Sequence, residues 1–99
     1  MAEMTWSPRA VDELDEIRRY IARSSEIVSR QVVQDMLQVV EQIRGQPFSG
    51  NMVEKYSRAD VRERLSGSYR IIYRVINDDL VEIVTIRRGA RRLLRRLPF

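Results

Sequence analysis

Residues 69–92 read YRIIYRVINDDLVEIVTIRRGARR, and this stretch decides the fold. Residues 69–76 and 80–87 are rich in Ile, Val and Tyr, the residues that suit a pleated, half-buried strand. The polar run Asn77-Asp78-Asp79 between them predicts a turn, so the pair reads as a β-hairpin. Side chains alternate along a strand, which sends Ile71, Tyr73 and Val75 to one face. Arg70, Ile72, Arg74 and Ile76 go to the other. Tyr69 and Tyr73 share the first face and read as packing residues. The second face carries arginine, and the hairpin runs on into a further arginine cluster.

Upstream, residues 61–65 (VRERL) read as a short strand, with Arg62 and Arg64 on one face and Val61, Glu63 and Leu65 on the other. Ser66-Gly67-Ser68 turns this strand into the hairpin. Residues 45–60 are loop-like, with Gly, Pro, Ser and Asn throughout. Before them lie two amphipathic segments. Ser7 followed by Pro8 is a helix start, and Val11, Leu14, Ile17 and Ile21 recur at helical spacing, predicting a helix over 8–23. Asp12 and Glu13 fall in its first turns, where the helix dipole favours negative charge. Ser24-Ser25 interrupts. Val28, Val32, Met36, Val39, Val40 and Ile43 mark a second helix over 26–44, ended by Gly45 and Pro47. Val11, Leu14 and the valines of the second helix are the expected core. Residues 4–6 are a candidate leading strand, with Trp6 as an anchor at the sheet edge. After Gly89, Ala90, Leu93, Leu94 and Leu97 form an apolar stripe opposite Arg91, Arg92, Arg95 and Arg96, which predicts a helical turn or two. Phe99 either folds back on the site or frays. The fold class is α+β: an N-terminal helical hairpin on one face of a small, mainly antiparallel sheet of three to four strands, in one domain over 1–99.

Composition narrows the chemistry. The 99 residues are 43% apolar, the share of an ordinary globular protein, and no apolar run approaches the length needed to span a bilayer. There is no cysteine and no histidine, so thiolate sites, disulfides and the commonest general base are absent from the sequence. The N-terminus lacks a signal-peptide pattern, and the expectation is a cytosolic protein with no metal, no cofactor and no membrane partner. Net charge is +4, and it is unevenly placed. Residues 1–49 carry six Arg and eight acidic residues; residues 50–99 carry eleven Arg, one Lys and six acidic residues. Arginine's planar fork suits phosphate and carboxylate, so the basic half predicts a nucleic acid or an acidic protein as partner.

No metal-ligand spacing, phosphate loop or Ser/His/Asp arrangement occurs. The candidates are the arginines on or beside the sheet: Arg62, Arg64, Arg70, Arg74, Arg87 and Arg88, with Arg91 beyond it. Gathered on one face they would hold a backbone phosphate; singly they would pair with Glu54, Glu63, Glu82 and the acidic first helix. Arginine can stabilise the charge that builds on a phosphate under attack, while a Glu or Tyr moves the proton.

The segments WSPRAVDELDEIRRYI (6–21), QPFSGN (46–51), SYRIIYRV (68–75) and VEIVTIRRGARRL (81–93) together resemble the RelE/ParE superfamily of type II toxins, in the right order and over nearly the whole chain. The resemblance implies a growth-arresting toxin encoded beside a small antitoxin, as in plasmid stabilisation systems. Its ParE-type members act by binding DNA gyrase, and its RelE-type members cut mRNA on the ribosome. Arg70 matches a RelE-type arginine that contacts the scissile phosphate, and under that reading Glu63 or a tyrosine would have to move the proton. Arg62 and Arg64 stand where RelE-type strands often carry lysines, and Arg88 stands where relatives often carry histidine. Arginine stays protonated and is a poor base. The long helical hairpin and the GAR ending lean towards ParE, with an mRNA endonuclease as the alternative and an inactive or RNA-binding member as a third reading. The antitoxin is expected to present an acidic or amphipathic segment.

Overall fold

The computed structural model describes residues 1–89 and 91–99. In chain order they form β1 (Glu3–Trp6), α1 (Pro8–Ala22), α2 (Glu26–Gly45), a 3-10 turn (Pro47–Ser49), β2 (Asn51–Met52), β3 (Val61–Ser66), β4 (Tyr69–Asn77) and β5 (Leu80–Arg88). The sheet order is β1-β5-β4-β3-β2. β1 runs parallel to β5, and the other neighbours are antiparallel. The α+β architecture is as expected, with five strands in place of three to four. β2, only two residues long, lies inside the stretch read as loop, because so short a strand leaves no alternation to detect.

Both helices start where serine caps them. Ser7 Oγ accepts from Ala10 N at 3.0 Å with Pro8 at the first helical position, and Ser25 Oγ accepts from Val28 N at 3.2 Å. The break at Ser24-Ser25 is therefore also the cap of α2. Gly67, at φ +57°, is the first of two residues turning β3 into β4, the position where a two-residue hairpin favours glycine.

The main core lies between the helices and one sheet face. Ala10, Met36, Val40 and Ile43 meet Ile71, Tyr73, Val75, Val81, Ile83 and Ile86, with Trp6, Leu14, Ile17 and Tyr69 packed around them. Two expected core residues lie outside it: Val11 is 51% exposed and Val28 is 50% exposed. The buried stripe of α1 runs through Ala10, Leu14 and Ile17, and one residue of offset turns a side chain by about 100°. In α2 the buried positions are Ser29, Met36, Val40 and Ile43, so Val28 is displaced in the same way. Ser29 is buried because its hydroxyl donates to the Arg18 carbonyl at 2.7 Å, tying the two helices together.

The opposite face has a smaller core of Val53, Val61 and Ile72, covered by Tyr56, Leu93 and Leu97. The expected C-terminal helical turn is not formed among the described residues 91–99, and Ala90 of that stripe lies outside the described residues. So short an isolated helix is marginal in water. Here the carbonyls of Arg92, Leu93 and Leu94 take hydrogen bonds from Arg87, Lys55 and Tyr56 instead. Phe99 folds back onto the sheet.

Tyr73 is fully buried, and its hydroxyl accepts from Gly50 N at 2.9 Å. Burial raises its pKa above the ordinary 10.0, against weaker lowering by that bond and by Ser49, Arg64 and Arg62. A phenol with a raised folded pKa contributes stability that is fully present below pH 10.0 and is lost as pH rises through the folded value. The melting temperature is therefore expected to fall above about pH 10, and Tyr73→Phe to flatten that fall. An equally steep alkaline fall in the variant, followed by thermal circular dichroism, would remove Tyr73 as its source.

Candidate functional site

The register sorts the arginines. Arg62 lies opposite Tyr73 and Arg64 opposite Ile71, so both stand on the helix side of β3. Arg64 donates to Gln42 of α2 and to Ser49 Oγ, the latter at 3.0 Å. Arg62 donates to the Ala59 carbonyl at 2.9 Å and the Gly50 carbonyl at 3.3 Å, and lies over the Phe48 ring. They organise the loop after α2 and do not join Arg70. The helix-free face holds Arg70 and Arg74 of β4, with Arg87 of β5 directly opposite Arg70.

Each of these three has an acidic neighbour. Arg70 Nε donates to Glu63 Oε2 at 2.9 Å, and both side chains are about three-quarters buried or more. Arg87 Nη1 donates to Glu13 Oε2 at 3.0 Å. Arg74 Nε lies 3.5 Å from Asp60 Oδ2, too poorly aligned for a hydrogen bond, and its guanidinium stacks on the Phe99 ring at 4.1 Å. Arg58 holds Asp60 with two bonds, at 2.9 and 2.7 Å. That pairing is the main cause of the lowered pKa of Asp60. The Arg70–Glu63 pair was legible only as two separate candidates, because the diagonal contact depends on register.

Tyr56, which the sequence did not single out, sits among these groups. Its phenol donates to the Leu94 carbonyl at 2.5 Å. Burial raises its pKa, while the charges of Arg87 and Arg70 lower it less. It is therefore a neutral donor near pH 7 rather than a base. The signal that could have found it is its place in an otherwise polar loop, as the only aromatic between Phe48 and Tyr69.

Glu13 anchors the other end of the site. β1 ends at Trp6, opposite Ile83, so the outer edge of β5 has no strand neighbour from Val84 onward. The start of α1 fills that place. Ser7 Oγ donates to the Val84 carbonyl at 2.6 Å, and Glu13 Oε1 accepts from Thr85 Oγ1 at 2.6 Å and Ile86 N at 3.2 Å. The expected dipole role of Glu13 gives way to capping a sheet edge. Beside it lies a cavity of about 440 Å³ lined by Glu16, Ile17, Tyr20, Tyr69 and Arg88 among others. Arg91 also reaches this cavity. Arg88 and Arg91 are both exposed and stand apart from Arg70 and Arg74.

Among the described residues no group of three His, Cys, Asp or Glu side chains could hold a metal ion. No helix among them is long and apolar enough to cross a membrane.

A two-helix hairpin on a five-stranded sheet, with Arg70, Arg74 and Arg87 each beside a carboxylate, makes this an α+β domain with an ion-paired arginine face. A family model described as the ParE toxin of the type II toxin–antitoxin system, parDE, matches residues 4–93. The chain belongs to that family: it is a ParE-type toxin component of a type II toxin–antitoxin system. Among solved structures it is similar in fold to a chain of the chromosomal ParDE toxin–antitoxin system from P. aeruginosa. The TM-score is 0.71 at 22% identity, over 89% of this chain and 96% of that one. No curated protein matches the chain. The family favours the ParE reading of the sequence over the RelE one.

Proposed function

We propose that this toxin arrests growth by binding DNA gyrase and not by cutting mRNA. The observation that supports this is the state of Arg70. The residue that a nuclease would aim at the scissile phosphate is held by Glu63, under a face that the protein's own C-terminal segment covers. The neighbouring phenol of Tyr56 is held neutral, and arginine at 88 cannot act as a base. The cognate antitoxin binds through an acidic or amphipathic segment, for which the basic residues 50–99 supply charge complementarity.

The test is a pulse of expression in a bacterial host, with primer extension on an abundant mRNA and a supercoiling assay on purified gyrase. Intact mRNA with inhibited supercoiling is expected, and Arg70→Ala should keep that inhibition within about threefold, a change below 1 kcal/mol. New 5′ ends at in-frame codon positions that vanish in Arg70→Ala would sink the proposal in favour of mRNA cleavage.

A further inference from the structure

The sheet has an open edge at β1. Glu3 N donates to the Asp79 carbonyl at 2.7 Å and Ser7 N to the Ile83 carbonyl at 2.9 Å. Residues 3, 5 and 7 therefore turn their main-chain groups towards β5, and residues 2, 4 and 6 turn theirs outward. Ala2 is satisfied by the end of α2: its amide donates to the Arg44 carbonyl at 3.1 Å, and its carbonyl accepts from Arg44 Nε at 3.1 Å. The amides and carbonyls of Met4 and Trp6 have no hydrogen-bond partner among the described residues. Apart from its short length, the strand carries none of the usual edge protections, having no proline, no lysine and no bulge.

The space beside this edge is shaped for a neighbour. Met4 lies opposite Val81 and Trp6 opposite Ile83, so both side chains stand on the helix side. With Leu37 and Val40 of α2 they line a groove of about 430 Å³. Leu37 is 44% exposed there. Glu3, Glu41 and Arg44 complete the groove, which thus carries charges of both signs.

We propose that this edge pairs with the same edge of a second copy of the chain, β1 against β1, antiparallel about a two-fold axis at Thr5. That register sets Met4 opposite Trp6 of the second copy and Trp6 opposite Met4, each as a hydrogen-bonded pair. Every free main-chain group of both edges then has a partner. The two apolar grooves meet over the joined strands. Pro8 of one copy comes opposite Ala2 of the other, which brings the start of one α1 to the end of the other α2. Arg9 is the charged residue in the first turn of α1, at the positive end of the helix dipole, and Glu41 stands near the negative end of α2. Both are exposed. Each is unfavourable at its own helix end and favourable across the axis. An acidic antitoxin segment would instead meet Glu3 and Glu41 here, in the half of the chain that carries more acid than base. The charges favour a second copy, and the pairing is independent of the gyrase reading.

The test is sedimentation equilibrium on the purified full chain, with a cross-link to locate the axis. So small a contact predicts a weak dimer, half-formed at roughly 10–100 μM. At the axis Thr5 faces its own copy as a non-hydrogen-bonded pair, with Cα atoms about 4.5 Å apart and within disulfide reach. The chain has no cysteine of its own, so Thr5→Cys should give a covalent dimer on mild oxidation. Glu3→Cys, also at an exposed position of β1, should not, because its copies stand roughly 14 Å apart. Thr5→Lys sets two ammonium groups face to face, while Glu82 beside it on β5 balances the charge within each copy. It should weaken the dimer roughly fivefold or more. Met4→Pro removes an outward amide and no bond within the sheet, and should weaken the dimer roughly tenfold or more. Thr5→Lys carries the test should Met4→Pro fail to fold. Hydrogen exchange of the Met4 and Trp6 amides should slow as the toxin is concentrated. Four results would overturn the proposal. One is a monomer at about 500 μM. A second is a cross-link in Glu3→Cys as fast as in Thr5→Cys, which would place the contact elsewhere. A third is an unweakened dimer in Thr5→Lys. The last is exchange that slows only when the antitoxin is added, which would make the antitoxin the occupant of this edge.

Discussion

Glu13→Ala is expected to destabilise the fold by about 3–5 kcal/mol, the range for removing one partner of a buried charge pair. The buried Thr85 hydroxyl and the Ile86 amide lose their side-chain acceptor, and the Arg87 guanidinium loses its carboxylate and keeps only the Arg92 carbonyl. Glu13 and Arg87 are 15% and 20% exposed, so solvent can replace little of what is lost. No strand neighbour is available to satisfy β5 at that edge. Glu13→Gln keeps an acceptor for Thr85 and Ile86 and removes only the charge facing Arg87, so its loss should be distinctly smaller. Urea unfolding of the three proteins measures both effects. A loss below about 1 kcal/mol for the alanine variant would place Glu13 with ordinary surface pairs and undo the account of this edge.

The second large effect is expected at Gly50. A Cβ there would stand 2.5 Å from the Glu63 carbonyl oxygen and 2.5 Å from the Tyr73 hydroxyl. Neither can give way cheaply. The carbonyl belongs to β3, and the hydroxyl is fixed by the bond from Gly50 N in the middle of the core. Gly50→Ala should therefore cost about 2–3 kcal/mol from overpacking. For a chain of this size that is a melting temperature lower by roughly 10–20 °C. Gly45, with no atom near its missing Cβ, is the matched control, and Gly45→Ala should change little. Equal melting temperatures for the two variants would mean that the contact at Gly50 relaxes freely.

The helices, the hairpin and the faces of β3 and β4 were legible because each rests on a local period. Ser7-Pro8 placed the first helix start, Ser24-Ser25 read only as a break although Ser25 caps the second helix, and alternation put Tyr73 inside and Arg70 outside. What escaped depended on partners distant in sequence. Val11 and Val28 satisfied the hydrophobic pattern but sat one residue off stripes set by small residues, Ala10 and Ser29. The C-terminal segment had a helical pattern, and side chains of Arg87, Lys55 and Tyr56 gave its carbonyls other partners. At the candidate site, residue types were visible and pairings were not. Arg70 and Glu63 were both named, but only the register of β3 and β4 shows them joined. Arg62 and Arg64 were grouped with Arg70 on charge, and only the register across the two-residue turn, which sets Arg64 opposite Ile71 and Arg62 opposite Tyr73, separates their faces.

The parallel pairing of β1 with β5 brings Glu3 beside Leu80 and Met4 beside Val81. Ser7 is tied to Val84, 77 positions further along the chain. Closing so long a loop has a large entropic cost, and pairings of this kind form slowly. The helical hairpin and the β4–β5 hairpin are local and can form as they are made. The first strand has no partner until the last one exists. During synthesis the chain's beginning must therefore wait for its distant end, and the toxin's sheet closes as the concluding event of its assembly.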